Sequence, residues 1–284
     1  MPTPTEADLR RQIVEIGQRI YDRFLVAAND GNISARLDDA TVLVTPTGVS
    51  KGFMSTEDMV KVSLGGSVEE TPRQTVTIAQ RLVTETDVLA VPFGGRLYLP
   101  QGALITPLAR QAAMERHVTL EEMSAQPAPS LKVLAASKGH RPSSETPMHL
   151  AIYRARADVR AIVHTHAPAA TAFAVTDVRL DESLLPEVLV DLGPVPLVPY
   201  ARGGGEDLPL AMAPYLADHD AFLLANHGAV TVGRTLEEAY FRMERLELFA
   251  RIQLAAKTLG PTRALSREEV LQLVALWEQA RRRA

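Results

Sequence analysis

Two histidines end the apolar run "AIVHTH", residues 161–166. In a strand, positions i and i+2 share a face. His164 and His166 would therefore present two imidazoles side by side, as a transition-metal centre requires. A hydrogen-bonded structural pair is the alternative, but burying both rings in an apolar strand without partners is costly. His227, in "LLANHGAV" (223–230), is the candidate for a third nitrogen. It sits at a tight turn between two apolar segments, where a glycine permits close backbone approach. Three neutral imidazoles with open positions form a Lewis-acid site for Zn2+, and Mn2+, Co2+ or Fe2+ suit the same donors. His149 is either a fourth contributor or part of a helix packing face. His117, His140 and His219 lie in polar surroundings and are expected at the surface.

Glu145 follows Ser143 and Ser144 at the head of a helical pattern. Ser144 is a natural N-cap, and a glutamate in the first turn is favoured by the helix dipole. That ordinary helix start explains both residues. A sharper reading gives the same helix end an anion, held by backbone N–H groups and the serine hydroxyls. Glu145 would then lie beside the metal as a general base. Two further turns, "GNIS" (31–34) and "TPTG" (45–48), have the same polar character. Gly31, Asn32, Thr47 and Gly48 would supply a second set of phosphate donors. Lys51 and Lys61 read as surface or phosphate-side charges.

The elements that must position these residues follow from periodicity. Helical spacing over 5–28 aligns Leu9, Ile13, Ile16, Ile20 and Phe24. "NDGNISARL" (29–37) reads as a turn followed by alternation, "TVLVTPTG" (41–48) as a β-rich run ending at a Pro/Gly turn, and "EDMVKVSLGG" as a strand followed by a turn. Residues 67–139 change texture and read as an inserted α+β segment, with a hairpin, a helix from about 107 and the spacer "SAQPAPS". The main pattern resumes with a helix at 145–156, a strand at 159–166 and a helix at 167–175. "GPVPLVPY" fits an edge strand because its prolines forbid a helix. "GGGEDLPLAMAPYLAD" turns into a helix, and "AFLLANHGAVTVG" is two strands about a turn. Helices over 235–259, capped by Thr235, and over about 266–282 complete the chain. The expected fold is α/β, a mixed sheet flanked by helices, in one domain of 1–284 carrying the insertion.

Composition narrows the function classes. The formal net charge is −4 and no basic stripe precedes the terminal "RRR", which argues against a nucleic-acid partner. No apolar run approaches the roughly 20 residues of a membrane helix. The absence of an export signal suggests a cytoplasmic protein. With no cysteine, disulfides, thiolate metal sites and cysteine nucleophiles are excluded.

In order, the chain shows "GNIS", "TPTG", "PSSE", "HTH", "NHG" and "EEAYFRMERLE". That series resembles the class II aldolase/adducin family, especially its sugar-phosphate aldolases, over roughly 8–66 and 140–260. The resemblance implies a mainly antiparallel sheet and a homotetramer with active sites between subunits. It implies that His164, His166 and His227 bind Zn2+, that Glu145 is the acid/base, and that Asn32, Thr47, Gly48, Ser143 and Ser144 hold the substrate phosphate. A tyrosine on the aldehyde side is usual in the family; Tyr200, Tyr215 and Tyr240 stay unassigned. Related 4-epimerases carry Asp where this chain has Glu145, which favours carbon–carbon cleavage, and adducin-like scaffolds lack the histidines. The insertion at 67–139 departs from the family pattern and reads as a surface decoration, an oligomer contact or a lid.

The expected reaction is cleavage of a ketose 1-phosphate to dihydroxyacetone phosphate and an aldehyde. Zn2+ would stabilise the enediolate and Glu145 would protonate it. Epimerisation, decarboxylation of a 3-oxo acid phosphate and dehydration use the same groups and remain alternatives, as does a non-catalytic scaffold.

Overall fold

The computed structural model describes residues 4–65, 75–77, 82–91, 96–99, 103–116, 118–122 and 133–283. They fall into two compact units, 1–65 with 133–284, and 66–132.

The larger unit opens with α1 (Glu6–Asp22), started by a capping box between Thr5 and Asp8. Leu9, Ile13, Ile16 and Ile20 are buried, as the spacing predicts. Phe24 is not: the helix has ended, the chain turns through positive φ there, and Phe24 is 78% exposed. Leu25 takes the buried place instead. Strands β1 (Asn32–Arg36), β2 (Thr41–Val44) and β3 (Val60–Ser63) then form an antiparallel meander.

The smaller unit contains β4 (Thr75–Thr77), β5 (Leu82–Val83), α2 (Glu85–Leu89), β6 (Arg96–Leu99), β7 (Leu104–Ile105), α3 (Pro107–Glu115) and β8 (Thr119–Glu122). Its core gathers Val83, Val88, Val91, Leu97, Leu99 and the alanines of α3. The expected hairpin is absent among the described residues. Thr84 and Asp87 form a capping box that starts a helix where a strand was expected, and β6 pairs in parallel with β4 and β8. The helix expected from 107 is present, with Thr106 as its N-cap. The spacer at 124–130 and His117 lie outside the described residues.

The larger unit resumes with β9 (Val133–Ala136), which falls inside the expected insertion yet pairs with β3. There follow α4 (Thr146–Ala155), β10 (Ala161–Thr165), α5 (Pro168–Ala174), α6 (Pro186–Asp191), β11 (Leu197–Val198) and α7 (Asp207–Met212). The chain closes with β12 (Ala221–Leu224), β13 (Gly228–Gly233), α8 (Leu236–Leu259) and α9 (Arg267–Arg283). Thr235 caps α8 by accepting the Glu238 N–H. The eight-stranded sheet runs β11-β12-β13-β10-β1-β2-β3-β9, antiparallel throughout except where the proline-flanked β11 lies parallel to β12 at the edge. This is the mixed, mainly antiparallel sheet with flanking helices that the sequence predicts.

Both faces of the central strands are covered, which is why β1 and β10 are buried at every position. Ile33, Ala35, Ala161 and Val163 join a core with α1, α5 and α8. The alternate positions face the other way. Ser34 there bonds His149 and Tyr153 of α4, at 2.6 and 2.9 Å. Register sets Asn32 opposite His164 on neighbouring strands, and His164 opposite Val230.

Candidate metal centre and anion pocket

His164 projects from β10 on the face shared with Asn32 and is fully buried. Its Nδ1 lies 2.9 Å from the carbonyl of Ala229. A carbonyl only accepts, so Nδ1 carries the proton and Nε2 presents a lone pair. His166 stands one residue past the end of β10, with Nδ1 3.5 Å from Asp30. His227 occupies the turn between β12 and β13, where Asn226 has positive φ. Gly228 makes this approach feasible: a Cβ there would lie 2.5 Å from the Thr165 carbonyl and 2.9 Å from His166 Cδ2.

The three rings form a nearly equilateral triangle, with centroids 4.8, 5.2 and 5.2 Å apart. One nitrogen from each lies within 4.8 Å of the others. Glu145 joins them: its Oε2 is 2.9 Å from His164 Nε2 and its Oε1 2.7 Å from His227 Nε2. The His164 contact has ion-pair distance without hydrogen-bond alignment, and the Nε2 atoms of His164 and His166 are buried with no hydrogen-bond partner. Orphaned buried nitrogens cost about 1–3 kcal/mol each. Lone pairs and a carboxylate converging on one point are what a divalent cation satisfies, so the donor set fits a borderline metal such as zinc.

Electrostatics agree. Burial would raise the Glu145 carboxyl, but His164 and His227 outweigh it and hold it far below the usual carboxylate range. Burial lowers His164, and Glu145 more than reverses that. His166 is lowered by burial and by the two neighbouring imidazoles.

Glu145 is the N-cap residue of α4, and not inside its first turn. Ser144 does not cap the helix; Ser143 Oγ accepts the Glu145 N–H at 3.3 Å. The Asn32 side-chain amide donates to Glu145 Oε2 at 2.6 Å and to Ser143 Oγ at 3.2 Å. Backbone bonds stitch the turns together, Thr47 N–H to the Arg141 carbonyl at 3.0 Å and Ser143 N–H to the Thr45 carbonyl at 3.1 Å. Thr47, Gly48, Ser143, Ser144, Asn32 and Glu145 thus line one cavity of about 230 Å³, with His166 at its wall. A larger cavity, about 560 Å³, lies by α8 and α9 among paired arginines and carboxylates, without any of these histidines.

His149 stands apart from the triangle. It is fully buried, bonded to Ser34, and pushed down to about 3 by burial and by His164. His140 and His219 are half-buried, with contacts to Asp58 Oδ1 (3.1 Å) and the Tyr215 carbonyl (3.0 Å), because local acceptors hold them against the body. Tyr240 is buried in the core, Tyr200 is 69% exposed, and among the described residues no tyrosine lines the cavity.

Two neighbours escape the sequence reading. Asp30 faces His166, and Gly203 passes close enough that a Cβ would be 3.5 Å from Glu145 Oε1. Lys51, expected near the surface or the phosphate, is buried and lines the cavity. The short loop from Gly48 to Lys51 was the available signal.

Comparisons with known proteins match this architecture. The family model described as "Class II Aldolase and Adducin N-terminal domain" matches residues 11–86 and 95–254. A 3-oxo-tetronate 4-phosphate decarboxylase of Pectobacterium atrosepticum is 29% identical over 87% of this chain and 84% of its own. An L-fuculose phosphate aldolase of Methanococcus vannielii is 28% identical over 85% of this chain and 93% of its own. The crystal structure of YgbL from Klebsiella pneumoniae superposes with a TM-score of 0.67 at 27% identity, covering 95% of this chain and all of that one. With most of its length matched in order, the chain belongs to the class II aldolase/adducin family.

Proposed function

We propose that the protein is a metal-dependent lyase that breaks a carbon–carbon bond of a phosphorylated sugar derivative, and that its substrate is a 3-oxo sugar-acid phosphate. The observation that carries this is Glu145 beside His164 and His227, on the wall of a cavity whose turns offer hydroxyl, amide and backbone N–H donors to an anion. His164, His166 and His227 hold the ion, with zinc the first choice. When bound, it supplies Lewis-acid polarisation of the substrate carbonyl.

The chain's own groups do the rest. Asn32, Thr47, Gly48, Ser143 and Ser144 hold the phosphate and fix the reacting carbons beside Glu145. The bond from the carboxylate carbon to its neighbour breaks, carbon dioxide leaves, and the electron pair passes into the adjacent carbonyl as an enediolate. Glu145 takes a proton from the substrate hydroxyl and returns it to the carbon that lost carbon dioxide; solvent supplies the net proton as dihydroxyacetone phosphate leaves. Asn32 steadies the carboxylate through its 2.6 Å bond.

This shifts the sequence-based expectation of aldol cleavage. Loss of carbon dioxide releases no aldehyde, so the hydroxyl proton that Glu145 takes goes back to carbon and no second base is needed; among the described residues one glutamate adjoins the triangle. Decarboxylases stand among the relatives over most of both chains. Aldol cleavage of a ketose 1-phosphate is the second reading, favoured by the aldolase relatives. It generates the same enediolate but needs a further base for the leaving aldehyde. We place the reaction in a cytoplasmic homotetramer.

The test offers purified protein, zinc-loaded, a 3-oxo-tetronate 4-phosphate and a panel of ketose 1-phosphates. Carbon dioxide with dihydroxyacetone phosphate supports the first reading. Aldehyde with dihydroxyacetone phosphate supports the second, and neither product from any substrate contradicts both.

A further inference from the structure

Lys51 lies in a short 3-10 turn just after the 45–48 turn and is 1% exposed. Its Nζ donates to the Asn29 carbonyl at 3.0 Å and the Val49 carbonyl at 2.8 Å. Those carbonyls flank the two anion turns, one leading into Gly31 and one leaving Gly48, so the ammonium ties the turns together. An ammonium has three N–H donors, and among the described residues two are used. Both partners are neutral.

A buried cation without a counter-ion is an expensive arrangement. Asp30 and Glu145 line the same cavity, yet Asp30 faces His166, and Glu145 is engaged by His164 and His227. Burial pushes the Lys51 ammonium down to about 8, against the pull of those two carboxylates. Among the described residues, Lys51 is the one lysine or arginine lining the cavity. Without it, two carboxylates would face any anion that the neutral turn donors tried to hold.

We propose that Lys51 is the charge-bearing partner of the substrate's phosphate, serving both as the clasp between the two turns and as the counter-ion that lets the cavity accept a dianion. This rests on reading the cavity as the phosphate end of the substrate. It assigns selectivity for a phosphate monoester over a neutral sugar end chiefly to one side chain, with the hydroxyls and backbone N–H groups setting orientation.

The probe is inorganic phosphate, titrated calorimetrically into the zinc-loaded full chain and into Lys51→Gln. Gln keeps amide donors for the carbonyls and removes the charge. Loss of a charge-assisted bond predicts phosphate affinity lower by on the order of 10- to 100-fold, with zinc affinity, titrated separately, unchanged. Equal phosphate affinity in both proteins, or no binding to the wild type, overturns the proposal. So does an equal loss of zinc and phosphate affinity, which marks a structural role.

Should Lys51→Gln fail to fold, wild-type protein carrying 13Cε-labelled lysine gives a second readout. Saturating phosphate is expected to raise the titration midpoint of the Lys51 signal by at least about one pH unit. Asp30, Glu145 and His166 are the other titratable groups lining the cavity. An unmoved midpoint contradicts the proposal. If Lys51→Gln loses phosphate while no substrate of the panel reacts, the reaction assignment fails and the anion site stands.

Discussion

The two halves of the cleft are built by opposite means. The histidine half is carried on the middle of the sheet: β10 is buried at every position, and the Ala229 carbonyl sets the His164 tautomer. Glu247 of α8 accepts the Ala169 and Ala170 N–H groups, anchoring the helix that follows His166. The anion half is three turns, with Asn32 at the start of β1 beside them, held by bonds among Thr45, Thr47, Arg141 and Ser143 and by the Lys51 ammonium. A metal tolerates little displacement of its ligands, whereas a phosphate accepts donors from many directions. Rigidity sits where geometry is demanding, and turns serve where charge and N–H groups suffice.

Substitutions test that division, from the largest expected effect downwards. His227→Ala removes one of the triangle's three rings and is expected to lower turnover by about 10^4-fold or more, a loss of roughly 5 kcal/mol. Assay of carbon dioxide or dihydroxyacetone phosphate release with added zinc checks it. Glu145→Gln keeps size and the Asn32 contact but removes the acid/base, so turnover should fall about 10^2- to 10^4-fold while zinc and phosphate still bind. Gly228→Ala forces a Cβ to 2.5 Å from the Thr165 carbonyl; the predicted cost is about 2–4 kcal/mol in urea unfolding, with weaker zinc binding. Ser34→Ala strips His149 and Tyr153 of their buried partner and should cost about 1–3 kcal/mol.

The last effect concerns pH. His149 titrates near 3 in the folded chain against an ordinary 6.5. A depressed histidine means that the unfolded chain binds the proton first, so its contribution is full above about 6.5 and is lost as pH falls towards 3. The difference in unfolding free energy between wild type and His149→Gln, both metal-free, should narrow by up to about 1.4 kcal/mol per pH unit between pH 6 and 4. A constant difference sinks the assignment of His149 as a buried neutral group.

Much of this division was legible in the residues. Alternation put His164 and His166 side by side, and a glycine beside His227 announced a close approach. Glu145 and the serines were singled out by type and position, and they line one cavity; the place of Glu145 at the N-cap was not read, because Ser144 was the expected cap. Lys51 reads as a surface or phosphate-side charge and does line the cavity, but its burial is not legible: a lysine in a polar turn ordinarily projects into water, and nothing local reveals that α1 and the 29–32 turn close over it. In the smaller unit the run beginning at Asp87 reads as a hairpin, while the Thr84–Asp87 capping box, visible in the sequence, was the decisive signal.

The most direct test is the metal. Protein cleared of metal by chelator and dialysed against zinc should bind one ion per chain, with X-ray absorption showing three imidazole nitrogens, and His164→Ala should bind less than about a tenth as much. A wild-type chain that retains no zinc, or a His164→Ala chain that binds it equally, contradicts the account.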